Sequence, residues 1–323
     1  MTMDRLNRLR RKLNTELGIL IATALEDPKV SDIYLNDDGK IWINRAGQAK
    51  EYAGDMEPDQ AISLIRTVAS LVHSTITEDS PVVEAKLPGG ERFIGDISPI
   101  STAPTFCIRK PARVVFSLES YVDQSIMNER QCAAIRSAVL SRYNILVVGG
   151  TGSGKTTLTN AILKEIARAT PEDRILIFED TPELQCSSPD RSFKLATETV
   201  SMRALLRNGM RQMPDRIIVG EVRGAEASVV LQAWNTGHEG GVLTLHANSA
   251  REGVHKFQEY VEEGLPGTDK RQAIANAVDL VIYMPKRKEG SPPQVKEVCW
   301  LQKLREGEYQ FETVQEVSHV HAI

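Results

Sequence analysis

The hydrophobic residues of the chain follow two patterns, one before about residue 110 and another after about residue 144. In the first part, apolar and polar residues alternate from 32 to 43 on both sides of a turn at Gly39, a pattern typical of a β-hairpin. Apolar residues at helical spacing predict a helix over 59–73. Strand-like segments surround Gly89 and Pro99. We therefore predict a small α+β domain over residues 1–110.

The second part alternates continuous apolar segments with amphipathic ones. The predicted strands span 144–150, 174–180, 216–221, 241–247 and 279–284, and the predicted helices span 156–169, 202–213, 225–236 and 252–263. Strands that are apolar throughout are buried on both faces, so this alternation favours an α/β domain with a mainly parallel sheet. We place that domain at 128–323, predict a linker over 111–127, and expect short antiparallel strands in the tail over 295–317.

Near the start of the chain, leucines recur at three- and four-residue steps among basic residues. The leucines are Leu6, Leu9, Leu13, Leu17 and Leu20. The spacing predicts an amphipathic helix, and two interpretations stay open for it. The leucines pack on the domain and leave the basic residues in solvent, or the helix makes a peripheral contact with an anionic membrane surface.

Composition and charge exclude several classes of protein. The chain has 323 residues, 41% of them hydrophobic, and no apolar run approaches the length of a membrane span. Residues 1–17 are polar and basic, which is unlike a signal peptide, so we expect a cytoplasmic protein. A net charge of −4 gives no overall electrostatic attraction for nucleic acid, and direct binding of nucleic acid is not expected. Four cysteines lie far apart without metal-ligand spacing.

One segment carries a specific chemical signature. Residues Gly149 to Thr156 match the pattern G-x-x-x-x-G-K-[ST] between an apolar strand and a helix, which is the context that this phosphate-binding loop requires. The residues predicted to bind the phosphates are Gly149, Gly150, Thr151, Gly152, Ser153, Gly154, Lys155 and Thr156. Lys155 would hold the β- and γ-phosphates of ATP, and the Thr156 hydroxyl would bind Mg²⁺. The loop therefore predicts a magnesium-dependent nucleotide site, but it does not by itself distinguish an ATPase from a GTPase or a kinase, and the remaining strands must do so.

Carboxylates follow two of the other predicted strands. Glu221 ends the strand that begins at 216, and Glu179 and Asp180 end the strand that begins at 174. Because the carboxyl ends of parallel strands form the ligand crevice, we expect all three near the phosphates. Glu221 and Glu179 are candidates for orienting the attacking water, and Glu221 and Asp180, with Thr156, for supporting the metal. His246 ends another strand and could contact a phosphate or relay its presence.

Four motifs in order resemble those of the secretion-superfamily traffic ATPases of type II and type IV secretion and type IV pili. They are Gly149–Thr157, resembling the family's Walker A loop, Phe178–Leu184, its aspartate box, Leu206–Gly224, its atypical Walker B region, and Gly237–Ala250, its histidine box. The resemblance adds Thr157 to the nucleotide-binding residues and implies a RecA-like P-loop domain. It also implies a hexameric ring that works with inner-membrane components of a secretion apparatus.

The resemblance also concerns arginines. Segments that contain Arg92 and Arg109 resemble the type IV secretion branch, where these positions are associated with the nucleotide cleft. Arg207 and Arg211 lie in the Walker B region, and all four arginines are candidates to stabilise charge across a domain or subunit boundary. The function expected is a motor of conjugative type IV secretion. A pilus assembly or retraction ATPase, a nucleic-acid motor and a nucleotide-gated scaffold without turnover are the alternatives.

Overall fold

The structure is a computed structural model that describes residues 3–45, 48–111, 115–197, 199–287 and 291–314, with the backbone alone for residues 3–6. The chain divides into two compact units, Met1–Arg113 and Val114–Ile323. His319 and His321 lie outside the described residues.

The first unit packs helices on an antiparallel sheet. Its elements are α1 (Met3–Glu26), β1 (Val30–Leu35), β2 (Lys40–Arg45), β3 (Glu51–Asp55), α2 (Pro58–Leu71), β4 (Val82–Lys86), β5 (Arg92–Asp96) and β6 (Thr105–Arg109). The strand order is β3-β2-β1-β6-β5-β4, and each neighbouring pair is antiparallel. The predicted hairpin is β1–β2, with Leu35 opposite Ile41, and the predicted second helix is α2.

Leucines of α1 pack in the core of the first unit. Leu13, Leu17 and Ile21 are buried in the same cluster as the inner face of the sheet. The helix breaks at Gly18, whose φ of 68° lies in the left-handed region. The exposed side chains of this helix include Arg10 and other basic residues. Of the two interpretations of the leucine spacing, packing on the domain accounts for these buried positions.

The second unit is a sheet covered by helices on both faces. Its elements are α3 (Leu118–Asp123), α4 (Glu129–Leu140), β7 (Ile145–Gly149), α5 (Lys155–Ala169), β8 (Ile175–Glu179), β9 (Arg191–Leu195), α6 (Met202–Gly209), β10 (Arg216–Val219), α7 (Ala227–Trp234), β11 (Val242–Leu245), α8 (Ala250–Gly264), α9 (Arg271–Ala277), β12 (Leu280–Met284), β13 (Glu297–Leu301) and β14 (Phe311–Thr313). The strand order is β14-β13-β12-β7-β11-β10-β8-β9.

In the second unit's sheet, neighbouring strands from β12 to β9 pair in parallel, and β13 and β14 add an antiparallel edge. Helices α3, α4 and α5 cover one face, and α6, α7, α8 and α9 the other. Strands β7, β8 and β10 are buried along their whole length, which is why their sequences are apolar throughout. The predicted parallel sheet and the predicted α/β fold are confirmed.

Several segments differ from the prediction, and helices α4 and α9 were not predicted. The predicted linker contains α3, which begins at a capping box formed by Ser117 and Ser120 and buries Leu118 and Tyr121 in the second unit's core, so that part is not a linker. Helix α6 ends at Gly209 instead of 213, and Met213, directly before Pro214, has a non-helical φ of 54°. Strand β10 ends at Val219, so Glu221 lies just beyond it. Strand β9 was not predicted, because its exposed and half-buried residues alternate at the sheet edge.

Candidate functional site

The predicted phosphate-binding loop joins β7 to α5 at the carboxyl edge of the parallel strands. Gly152 and Gly154 have φ values of 73° and 100°, which L side chains rarely adopt, and Gly154 is the N-cap of α5. At Gly149 a side chain would not fit, since an added Cβ would lie 2.2 Å from the Met284 carbonyl oxygen at the end of β12. The glycines therefore allow this loop to run tightly between a strand and a helix N-terminus.

Lys155 folds back over the loop. Its Nζ donates to the carbonyl oxygens of Gly149 at 2.8 Å and Gly150 at 3.1 Å, and the residue is buried. Burial lowers the pKa of Lys155, and the nearby Glu221 carboxylate opposes that effect. The ammonium group is thus held at the loop by weakly competing carbonyl oxygens, which phosphate oxygens can replace.

The loop residues fit a nucleotide phosphate. An added Cβ at Gly152 would meet no heavy atom within 4 Å, so the space beside the loop is open. The Ser153 hydroxyl is buried without a hydrogen-bond partner in the structure, and buried polar groups normally have one. A phosphate against the loop would supply acceptors for it. Thr157 follows in the first turn of α5 and is half-buried.

The residues also fit Mg²⁺, provided that a nucleotide supplies further ligands. The Thr156 hydroxyl donates to Oε2 of Glu183 at 3.3 Å, and hydroxyl and carboxylate oxygens are the ligands that Mg²⁺ prefers. The described residues contain no group of three or more His, Cys, Asp or Glu side chains that could hold a metal by themselves. Mg²⁺ commonly binds through one or two protein oxygens and substrate phosphates, which agrees with this arrangement.

Glu221 lies at the centre of a charged cluster beyond β10. Its Oε2 accepts from Nε of Arg223 at 2.9 Å and also from Nη2, and its Oε1 lies 2.6 Å from Nε2 of His246. Nη1 of Arg223 donates to Oδ2 of Asp180 at 2.8 Å. The ends of three neighbouring strands, β8, β10 and β11, therefore meet in one hydrogen-bonded group, which we call the strand-end cluster: Asp180, Glu221, Arg223 and His246.

Glu179 has a different environment from Glu221. It is 3% exposed, and its Oε1 accepts from the backbone N–H groups of Glu183 and Leu184, both at 2.8 Å. Burial raises the pKa of Glu179, and the two backbone hydrogen bonds oppose that effect. The carboxylate thus shapes the loop that presents Glu183 to Thr156. Just beyond β10, an added Cβ at Gly220 would lie 3.0 Å from Cγ of Glu179, so Glu179 packs closely against this glycine.

The structure brings some of the predicted site residues together and leaves others apart. The phosphate-binding loop, Glu179 and the strand-end cluster share the carboxyl edge of the second unit's sheet. Arg207 lies on α6 and Arg211 lies just after it. Both side chains are exposed, and neither forms an ion pair with the described residues. Arg92 and Arg109 belong to the first unit, where they face each other across β5 and β6.

Both arginines of the first unit have carboxylate neighbours there. Nε of Arg109 donates to Oδ1 of Asp32 at 2.8 Å, and Nη2 of Arg92 lies 3.8 Å from Oε2 of Glu84. Their predicted contact with the nucleotide stays a prediction.

Sequence analysis missed Arg223 and Glu183. Each lies a few residues beyond a predicted catalytic carboxylate, in a loop after a parallel strand. The sequence offered two signals for them, their place inside the aspartate box and the Walker B region and their position after parallel strands, where loops carry ligand-binding residues.

The family model of the Type II/IV secretion system protein matches residues 15–287. The chain belongs to that family. It is 42% identical to the conjugal transfer protein TrbB of Rhizobium radiobacter, covering 97% of each chain. It is 27% identical to the type IV secretion system protein VirB11 of Bartonella quintana, covering 88% of this chain and 94% of that protein. The sequence-based assignment to the conjugative type IV secretion ATPases is thereby confirmed, and with it ATP hydrolysis as the activity.

A solved structure of the pilus retraction motor PilT with bound ADP matches at a TM-score of 0.64 and 20% identity, covering 93% of this chain and 84% of that chain. This likeness concerns the fold, and it confirms the predicted RecA-like architecture. No helix among the described residues has both the length and the apolar character to cross a membrane.

Proposed function

We propose that this chain hydrolyses ATP with Mg²⁺ at the carboxyl edge of β7, β8, β10 and β11, as a motor of conjugative type IV secretion. The observation that carries the proposal is the meeting of Lys155 and Thr156 with the acidic ends of β8 and β10. The names and near-complete coverage of the TrbB relatives support the conjugative role. A site in the cytoplasm, beside inner-membrane components of the apparatus, follows from that role.

The residues have separate tasks in this proposal. Lys155 and the backbone N–H groups of the loop hold the β- and γ-phosphates. Thr156, with Glu183 and the strand-end carboxylates nearby, holds the metal, which supplies charge neutralisation for the phosphoryl group. Glu221 orients the attacking water and accepts its proton, because its carboxylate is contacted by side chains, whereas that of Glu179 is held by two backbone N–H groups. Glu179 keeps the loop after β8 in shape.

The decisive experiment compares Glu221→Gln with Glu179→Gln. Glutamine keeps the shape of either side chain and removes the charge. We expect Glu221→Gln to bind ATP with nearly unchanged affinity and to lose almost all turnover, as for a group that acts in the chemical step. Glu179→Gln should lose turnover severely but less completely, because the amide oxygen can still accept from the N–H groups of Glu183 and Leu184.

The measurements are ATP affinity and single-turnover hydrolysis across a Mg²⁺ titration, with Glu259→Gln as the matched control. Glu259 is exposed on α8 and pairs with Lys256 at 2.6 Å, so this variant should behave as wild type. Normal hydrolysis by Glu221→Gln together with an inactive Glu179→Gln would exchange the two roles. Normal hydrolysis by both Glu221→Gln and Glu179→Gln would show that the catalytic site does not lie at this edge of the sheet.

We also propose that six copies close into a ring, as the family resemblance implies. Ring closure uses one heterologous interface repeatedly and leaves no open ends. Arg92, Arg109, Arg207 and Arg211 then serve as candidates to stabilise phosphate charge across domain or subunit boundaries. Sedimentation with Mg²⁺ and a non-hydrolysable ATP analogue tests the ring, and monomers alone at micromolar concentration would contradict it.

A further inference from the structure

Arg223 is the cation that the two carboxylates of the strand-end cluster share in this structure. Its guanidinium group reaches Glu221 with Nε and Nη2 and Asp180 with Nη1. These two carboxylates come from different strands, and Asp180 is 43 residues away in the chain. One side chain therefore joins the ends of β8 and β10 through charge-assisted hydrogen bonds.

From this geometry we propose that Arg223 is a positioning residue that occupies the two carboxylates until Mg·ATP binds, and that it then releases them. The inference rests on the proposed function, in which Glu221 orients the attacking water and the carboxylates of Glu221 and Asp180 lie near the metal. Both Oε atoms of Glu221 are engaged, one by Arg223 and one by His246. In this arrangement Glu221 has little acceptor capacity left for a water or a metal, so its partners must change before hydrolysis.

The surroundings of Arg223 allow such a change. Its backbone N–H is held by Oε1 of Glu226 at 2.7 Å, and that of Gly224 by the same atom at 3.1 Å. The side chain, in contrast, is 63% exposed, while that of Glu221 is 17% exposed. The guanidinium group can therefore leave its partners without moving the backbone and without the large cost of stranding a buried cation.

The direction of the change follows from charge. Arg223 lies near enough to Lys155 to lower the pKa of that lysine, after the larger effect of burial. Its positive charge therefore lies close to the loop where the phosphates bind. Phosphate oxygens attract a released guanidinium group, and the incoming divalent cation repels it from the carboxylates. Mg·ATP thus favours the released state, whereas nucleotide-free protein favours the paired state.

The test measures divalent-cation binding in the absence of nucleotide, which does not depend on turnover. Mn²⁺ serves as the probe and is followed by electron paramagnetic resonance with the full-length protein. Arg223→Gln leaves Glu221 and Asp180 without their cation, so we expect Mn²⁺ to bind about tenfold more tightly than to wild type. Arg223→Lys keeps the charge and should bind Mn²⁺ nearly as weakly as wild type.

Two further variants isolate the cause. The double variant Arg223→Gln, Glu221→Gln should lose the added Mn²⁺ affinity, because one carboxylate is gone. Arg271→Gln removes an exposed arginine that pairs with Asp269 at 2.7 Å, and it should match wild type. In steady-state hydrolysis Arg223→Gln should lower kcat more than it changes the KM for ATP, since the released guanidinium group is then missing near the γ-phosphate when water attacks it.

The outcomes separate this inference from the proposed function. If Arg223→Gln binds Mn²⁺ as weakly as wild type and hydrolyses ATP normally, Arg223 forms an exposed ion pair of little consequence and the inference is wrong. A tighter Mn²⁺ site in Arg223→Gln that persists in the double variant would also overturn it. The proposed function itself is tested by hydrolysis in Glu221→Gln, Glu179→Gln and Lys155→Ala, and those results do not depend on Arg223.

Discussion

The two ends of the parallel sheet in the second unit use the same pair of chemical groups in opposite ways. At the amino end, Nε of Arg216 donates to Asp173 at 2.6 Å, and its Nη atoms donate to the carbonyl oxygens of Gly240 and Val139, both at 3.1 Å. Arg216 and Asp173 are 0% and 1% exposed. At the carboxyl end, Arg223 is largely exposed, and its side chain binds only other side chains in the described contacts.

The two ion pairs differ in whether their partners can be exchanged, which separates a structural ion pair from a functional one. Buried partners that include backbone carbonyls cannot exchange, because removal of any one leaves an unsatisfied buried group. Half-exposed side chains beside an open loop can exchange their partners for a ligand at small cost. The amino end therefore fixes the sheet, while the carboxyl end remains available for chemistry.

The largest expected effect is on the carboxyl end, for Lys155→Ala. A pair of unit charges about 4 Å apart contributes about 4 kcal/mol at an effective dielectric constant near 20, which is an upper guide. Turnover should fall by up to roughly a thousandfold, with the fold retained. Lys164→Ala is the matched control, since Lys164 is exposed further along α5 and donates to the Val115 carbonyl oxygen at 3.2 Å. Wild-type turnover by Lys155→Ala, with contaminating ATPases excluded, would refute the site.

A second prediction concerns the amino end, where Asp173→Ala removes the buried carboxylate that pairs with Arg216. This change strands the Arg216 guanidinium group, and loss of one partner from a buried pair costs about 3–5 kcal/mol of unfolding free energy. Urea unfolding measures this loss of unfolding free energy in a Trp42→Phe background. The remaining tryptophans, Trp234 and Trp300, both report on the second unit.

ATP affinity should also be measured for Asp173→Ala, under conditions where this variant is still folded. The affinity should equal that of the wild-type protein, because Asp173 lies at the edge of the sheet opposite the phosphate-binding loop. Asp269→Ala removes an exposed partner of Arg271 and should leave the urea midpoint nearly unchanged. A stable Asp173→Ala protein with impaired ATP binding would reverse the roles that we assign to the two ends.

The sequence predicted those features that depend on neighbours along the chain. Strands such as β7 and β8 are apolar throughout because both faces are buried, and the phosphate-binding loop is a local pattern. Helix α3 escaped prediction because six residues give too short a repeat to recognise. The tasks of Arg223 and Glu183 depend on partners in other loops, such as Asp180 and Thr156, and no local pattern encodes those contacts.

The smallest predicted effect concerns Asp279, which lies before β12 at the amino end and accepts from the backbone N–H of Asn144 at 2.8 Å. Burial raises the pKa of Asp279 to about 6 from an ordinary value of 3.8, although the hydrogen bond from Asn144 opposes the shift. Between these values the folded state holds a proton that the unfolded state has lost. Raising the pH through this window therefore destabilises the folded protein, by at most about 3 kcal/mol.

Asp279→Asn removes this titration and keeps an oxygen that accepts from Asn144. Relative to this variant, wild type should lose stability as the pH rises from about 4 to about 6 and show a constant difference above that range. Urea unfolding of both proteins at several pH values in the Trp42→Phe background measures the difference. Parallel stability curves for the two proteins would show that Asp279 ionises normally in the folded state. A loss of ATP turnover in Asp279→Asn at constant stability would instead extend the chemistry to the amino end, which the present division of the sheet excludes.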